Sequence, residues 1–332
     1  MRSTLAVAMA VGLLHAGGSG VTWHIARPSD SVARPSARSE TWDLRAVAPD
    51  GRRAVVVRFW TKDNPYYIEW LWYQRGRGVA SYTERVEPAA HTGPGVSMKD
   101  PFGHGSIRHS GSRWVLDAYG STYRARAHLV LRAVRPGLTV GPLRASAGRS
   151  GWLSVVATGL VDGVVVTPNG TVRLRGWYGA HVHEWATYRH SEAGAFMRRD
   201  LALLWRSPTD VRLVWGLEPF RRAAQVTKPN DSIWRGISAR LGARRSVCTA
   251  RVRRGGLRPD ALRYVQPTTT LTAHCGGTVL AVRHPDGRTG GTPWDFGEIF
   301  TGLATSGAGG VGFLEQTVPA VGGAFSRLSE ER

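Results

Sequence analysis

The chain has 332 residues, 42% of them hydrophobic and 20% charged, which is enough apolar material for a full core and excludes an extended, disordered polar chain. Net charge is +20, but the excess is Arg spread along the chain, at Arg52–Arg53, Arg132, Arg198–Arg199, Arg221–Arg222 and Arg253–Arg254, with Lys only at Lys62, Lys99 and Lys228. No zinc finger, helix-turn-helix or RNA-binding signature accompanies that charge, so no nucleic-acid partner is expected.

Taken in chain order, residues 1–20 read as a leader: Arg2, an apolar run from Leu5 to Leu14, then small residues from Ala16 to Gly20. The pattern fits a secretory signal and predicts export, with a leader on a cytosolic protein as the alternative. The run is too short to span a bilayer as a helix and no other segment is longer, so stable membrane insertion is not expected.

From Thr41 onward the chain reads as short alternating segments broken by turn residues. Trp42, Leu44 and Ala46 alternate with Thr41, Asp43 and Arg45, and Pro49-Asp50-Gly51 then leads into the Val-rich run Ala54–Trp60. An Asp-Gly step between two such runs predicts a hairpin. The aromatic run Tyr66–Gln74 follows, then strand candidates at Arg113–Tyr119, Tyr123–Ala133, Trp152–Ala157, Val161–Thr167, Thr171–Tyr188 and Asp210–Trp215. The second half repeats the texture at Ala250–Arg254, Tyr264–Ala273, Thr278–Arg283, Trp294–Gly302 and Gly312–Val318. Helical periodicity is confined to Ala195–Trp205 and Asp231–Leu241, and Ser191–Ser207 is the expected hinge between two units. Many short strands at this spacing predict an all-β fold of barrels or sandwiches. The expected division is a leader at 1–20, a first barrel at 21–195, a second at 196–326 and a tail at 327–332.

Cys248 and Cys275, 27 positions apart, lack CxxC character and do not suggest a metal site; spacing leaves open whether they pair. There are 13 Trp, and Trp70, Trp72, Trp152, Trp177 and Trp185 fall within strand candidates. On the inner faces of a closed sheet such rings form a core and also shape an apolar cavity.

Residues Thr171–Tyr188 read TVRLRGWYGAHVHEWATY. In an unbroken strand one face carries Arg173, Arg175, Trp177, Gly179, His181, His183 and Trp185, and the other carries Leu174, Tyr178, Ala180, Val182, Glu184 and Ala186. Two imidazoles therefore sit beside two indoles, while Gly176 and Gly179 permit a bulge that would exchange the faces. No third ligand lies near the His pair in sequence, so no metal is expected. Imidazole in a dry pocket can transfer a proton or polarise a carbonyl.

This segment resembles the signature Gly-x-Gly-Tyr-His-Asp-His-Asn-Trp-Gly of the carotenoid 1,2-hydratase (hydroxyneurosporene synthase) and AttH-like lipocalin superfamily. Gly179, His181, His183 and Trp185 match; Trp177, Ala180, Val182, Glu184 and Ala186 depart. Glu40–Val47 with Asp50–Arg53, Gly151-Trp152 with Val161–Val164, and Gly309–Gln316 are similar to other strands of that family, in order. The resemblance implies two consecutive calycin (lipocalin-like) antiparallel β-barrels with few short helices, a pocket in or near the first, and a hydrophobic small-molecule substrate handled without a cofactor. Its members hydrate or cyclise isoprenoids, and similar lipocalin-like proteins of natural-product pathways promote Diels–Alder reactions.

Val182 stands where the signature carries Asp, which argues against alkene protonation. The expected activity is therefore intramolecular cyclisation of a polyene or polyketide, with acid-catalysed hydration or terpenoid cyclisation, and non-catalytic binding, as alternatives. His181, His183, Glu69 and Glu184 are the candidate catalytic residues, with Glu315 a further candidate acid. Trp177, Tyr178, Trp185, Trp70, Trp72 and Trp152 are the candidate substrate-binding residues. The oligomeric state is not legible.

Overall fold

The computed structural model describes residues 20–62, 66–86, 93–146, 149–188, 197–219, 233–242, 245–257, 268–283, 290–294 and 297–319. Residues 1–19 of the leader, the 191–196 part of the expected hinge and the tail lie outside these residues. The first sheet contains β1 (Thr22–Ile25), β2 (Ser39–Val47), β3 (Arg53–Lys62), β4 (Tyr66–Gln74), β5 (Gly78–Val86), β6 (Gly95–Lys99), β7 (Gly103–Ser110), β8 (Arg113–Gly120), β9 (Ala125–Ser146), β10 (Arg149–Thr167) and β11 (Gly170–Ala186). Its order is β5-β4-β3-β2-β11-β10-β9-β8-β7-β6, with β1 added along β9, so the ring is nearly closed. The second contains β12 (Met197–Ser207), β13 (Asp210–Pro219), β14 (Ile233–Leu241), β15 (Ser246–Leu257), β16 (Thr268–Cys275), β17 (Thr278–Arg283), β18 (Gly290–Trp294), β19 (Gly297–Ser306) and β20 (Val311–Pro319). Pairing of β17 with β19 closes it. The fold is thus all-β, with two consecutive lipocalin-like antiparallel barrels.

Strand alternation sorts the apolar residues into three layers. Trp42, Leu44, Val57, Phe59, Trp70 and Trp114 fill the first barrel. Ala202, Leu204, Val214, Val252 and Leu314 fill the second. A third layer lies between them, where Val56, Leu71, Tyr73, Ala180 and Val182 from the first barrel meet Leu201, Leu203, Trp205, Trp215 and Phe313 from the second.

The expected helices are overturned, since the described parts of both segments are strands β12 and β14. Every side chain from Leu201 to Trp205 is buried, alternately in the shared layer and inside the second barrel. A strand apolar on both faces loses the period-two pattern and reads as a buried helix. Residues 197–207 of the expected hinge belong to the same strand. Among the described residues the helical content is a single 3-10 turn at Pro28–Ser31.

Charges are also buried between the barrels. Glu315 on β20 is 2% exposed and meets Arg45 at 3.1 Å, Arg58, and Arg199 at 2.6 Å. Arg45 also bonds Asp43 at 2.6 Å, Arg58 reaches Asp43 at 3.4 Å and Glu69 at 3.7 Å, and Arg199 bonds Glu184. Burial pushes the Glu315 carboxyl up, but the three guanidinium groups outweigh it and hold it well below the usual carboxylate range.

Cys248 and Cys275 form a disulfide joining β15 to β16.

Two stability measurements follow. Glu315→Gln leaves three guanidinium groups facing too little negative charge and is expected to cost about 3–5 kcal/mol in urea unfolding; a loss under about 1 kcal/mol would show that the cluster does not hold the barrels together. Reducing the disulfide frees a 27-residue span, and is expected to cost about 3.5 kcal/mol in the same assay.

Candidate active site

The two signature histidines sit on β11 between β2 and β10. In register, His183 lies opposite Trp42 and Ser154, His181 opposite Leu44 and Ala157, and Trp185 opposite Glu40 and Trp152. A bulge at Gly176, whose φ of +61° suits glycine, sets this phase. Before it, Val172 and Leu174 point inward and Arg173 and Arg175 are exposed; after it, Trp177 faces the barrel interior with the two histidines. The expectation that Arg173 and Arg175 share the histidine face is therefore corrected. Gly179 allows the strands to close, because a Cβ there would stand 2.3 Å from Val161 Cγ2 and 2.7 Å from the Arg45 carbonyl oxygen.

Both histidines are fully buried. The 3-10 turn Pro28–Ser31 lies against them. His181 Nδ1 donates to the Asp43 carbonyl at 2.9 Å, so its Nε2 is the lone-pair nitrogen and accepts the Ser31 hydroxyl at 2.7 Å. Both nitrogens of His181 are thus engaged by protein, and its ring lies 4.3 Å from Trp114. Burial, the largest cause, lowers its pKa to about 4 against the opposing carbonyl bond.

His183 differs. Its Nδ1 donates to the Asp30 carbonyl at 2.6 Å, and its Nε2 stands 3.0 Å from Glu40 Oε1, which also accepts the Arg34 backbone N–H at 2.7 Å. With an acceptor at each ring nitrogen, the His183–Glu40 pair must hold a proton between Nε2 and Oε1. The imidazole is stacked between Trp42 at 4.9 Å and Trp185 at 4.8 Å, faces that favour a cationic ring. Around the pair, Arg34 covers the outer indole of Trp185 at 4.9 Å. Tyr66 borders Glu40, and burial followed by that carboxylate raises its phenol. A hydroxyl chain backs the site: Ser154 donates to Thr139 at 2.8 Å, and Thr139 donates to the Asp30 carboxylate at 3.0 Å.

The other candidates divide between the two sides of the sheet. Trp70 lies in the first-barrel core, with Trp72 partly buried against it. Trp152 is parallel to Trp185 with centroids 6.2 Å apart. Trp177 is inside but further along β11, beneath Arg53. Tyr178 packs in the layer between barrels. Glu69, Glu184 and Glu315 also lie between the barrels, tied to Arg58 and Arg199, so the structure does not bring them to the histidines. Each occupies the opposite pleat face from an inward neighbour: Ile68 and Trp70 flank Glu69, and His183 and Trp185 flank Glu184. The carboxylate that does reach His183 is Glu40. Its sequence signal was its place two residues before Trp42 on the same face, but only the β2–β11 register pairs it with Trp185. Val182 faces the second barrel, so an apolar residue there removes no acid from the histidine side. Among the described residues no three of His, Cys, Asp and Glu are gathered as a metal site, and no helix is long and apolar enough to cross a membrane.

The buried His181 supplies a pH prediction. An unfolded chain protonates this imidazole near pH 6.5, whereas the folded one resists until about pH 4. Its contribution to stability is full above about pH 6.5 and declines as pH falls toward 4, by about 3 kcal/mol. His181→Asn, which keeps a donor for the Asp43 carbonyl, is expected to flatten that part of the stability–pH curve; an unchanged slope would contradict the assignment.

No family model and no curated protein matches the sequence. Among solved structures, kievitone hydratase from Nectria haematococca superposes with a TM-score of 0.50 at 9% identity, covering 93% of this chain and 94% of that one. At that identity the likeness concerns the fold, and this chain shares the two-barrel lipocalin-like architecture of that protein.

Proposed function

We propose that the protein is a cofactor-independent enzyme that adds water to a carbon–carbon double bond of a hydrophobic small molecule, using the proton held by His183 and Glu40. The single observation carrying this reading is that His183 has an acceptor at both ring nitrogens while lying between two indole faces. The pair gives its proton to one alkene carbon and the π electrons form the new C–H bond. Positive charge then develops on the neighbouring carbon, beside the half-buried Trp185 indole, whose π electrons favour it. Water adds its oxygen to that carbon and returns a proton to the pair, restoring it. Glu40 is the member of the pair with access to the outside: its side chain is 10% exposed and that of His183 is 0% exposed. The hydratase whose fold this chain shares supports the reading.

The parallel Trp152 and Trp185 rings favour a second reading, in which the same proton starts cyclisation of a polyene folded against the indoles. Both readings place acid catalysis at Glu40 and His183.

The test incubates the protein with a panel of unsaturated isoprenoid and polyketide-like compounds in ¹⁸O-labelled water and in D₂O. Hydration incorporates one ¹⁸O and one carbon-bound deuterium; proton-initiated cyclisation that ends by proton loss incorporates deuterium without ¹⁸O. Glu40→Gln and His183→Ala are each expected to lower turnover about 10²–10⁴-fold with the fold retained. Folded variants that keep the full rate would reject the role of the pair.

A further inference from the structure

We infer that the Asp30 carboxylate is a positioning residue for the His183–Glu40 pair, an inference that rests on the acid–base reading above. His181 and His183 each give the Nδ1 proton to a backbone carbonyl, but the two carbonyls are held differently. The Asp43 carbonyl that meets His181 belongs to β2, which is paired with β3 on one side and β11 on the other. The Asp30 carbonyl that meets His183 belongs to the four-residue 3-10 turn Pro28–Ser31, outside the sheet ladders. A turn of this kind has poor internal hydrogen-bond geometry, so the place of its carbonyl depends on what ties the turn down.

The Asp30 side chain makes those ties. It is buried, and three donors converge on its Oδ2: the Arg27 backbone N–H at 2.8 Å, the Thr139 hydroxyl at 3.0 Å and His24 Nε2 at 3.1 Å. His24 and Thr139 stand directly opposite each other on β1 and β9, so the carboxylate clamps the turn to that ladder. Its Oδ1 lies 3.7 Å from the Arg34 guanidinium, and the Arg34 backbone N–H bonds Glu40 at 2.7 Å. The stretch from Asp30 to Arg34 therefore touches both members of the pair, His183 through the Asp30 carbonyl and Glu40 through the Arg34 N–H. A backbone carbonyl accepts a hydrogen bond without taking the proton. Held in place, the Asp30 carbonyl keeps Nδ1 protonated and leaves Nε2 as the nitrogen that shares a proton with Glu40.

The full-length protein and its Asp30→Ala variant are compared by ¹⁵N spectroscopy of the His183 ring, by exchange of the Nδ1 proton into D₂O and by turnover. In the variant the Nδ1 resonance is expected to shift and its proton to exchange faster. Turnover is expected to fall about 10–10²-fold, in kcat more than in KM, because the pair is displaced while the substrate-binding indoles remain. If Asp30→Ala does not fold, the double variant His24→Ala/Thr139→Val removes two of the three donors and leaves the turn sequence intact; the same changes are expected in it. A purely structural Asp30 would lower the thermal midpoint and leave the His183 ring signals of the folded variant unchanged, and that result would overturn the inference. The ring measurement needs no substrate, so it decides the role of Asp30 even if Glu40→Gln and His183→Ala keep the full rate and the acid–base reading fails. Full rate in Asp30→Ala beside an inactive Glu40→Gln overturns the role of Asp30 alone.

Discussion

The contact on which the rest of the structure depends is the meeting of Glu315 with Arg45, Arg58 and Arg199 in the layer between the barrels. Guanidinium and carboxylate groups removed from water are tolerated only when they are matched closely. Here the match requires β2 and β3 of one barrel to face β12 and β20 of the other. Hydrophobic contact alone would hold the barrels together in many orientations; the charge cluster distinguishes among them. The apolar side chains of the shared layer supply the cohesion, and the buried ions supply the register.

That constraint extends to the histidines because the same strands carry both. On β2, Asp43 sends its carboxylate into the charge cluster and its carbonyl oxygen to His181 Nδ1. On β11, Glu184 bonds Arg199 on one face while His183 bonds Glu40 on the other. A β-sheet one residue thick thus separates a structural ion network from a candidate acid–base pair. The two histidines, only two residues apart, are also given different states. His181 is closed off by Asp43 and Ser31 and kept neutral by burial. His183 meets the Glu40 carboxylate at one ring nitrogen and the Asp30 carbonyl at the other. Environment, rather than residue type, separates the enclosed neutral ring from the one paired with a carboxylate.

Much of this was legible from the chain. Trp42, Leu44 and Ala46 alternate with Asp43 and Arg45 in sequence because one set fills a barrel and the other faces away. His181, His183 and Trp185 share a face because they follow the Gly176 bulge without interruption. The carboxylates were harder to place. Glu69 and Glu184 stand next to buried aromatic and imidazole groups in sequence, but a strand sends adjacent side chains to opposite sides. Nearness along the chain therefore implied separation in space. Glu40, by contrast, lies 143 positions from His183, and nothing local links them. The run Leu201–Trp205 read as a helix because a strand buried on both faces has no polar alternation to reveal it.

The sequence by itself determined the class of fold, the abundance of strands and the common face of the two histidines, since these depend on pleat and turn chemistry within a few residues. Tertiary structure decided which carboxylate pairs with which base, which histidine stays neutral, and that the two cysteines bond. Those outcomes depend on strand register and on burial between barrels. Both arise from contacts between residues far apart in the chain, which local spacing does not encode.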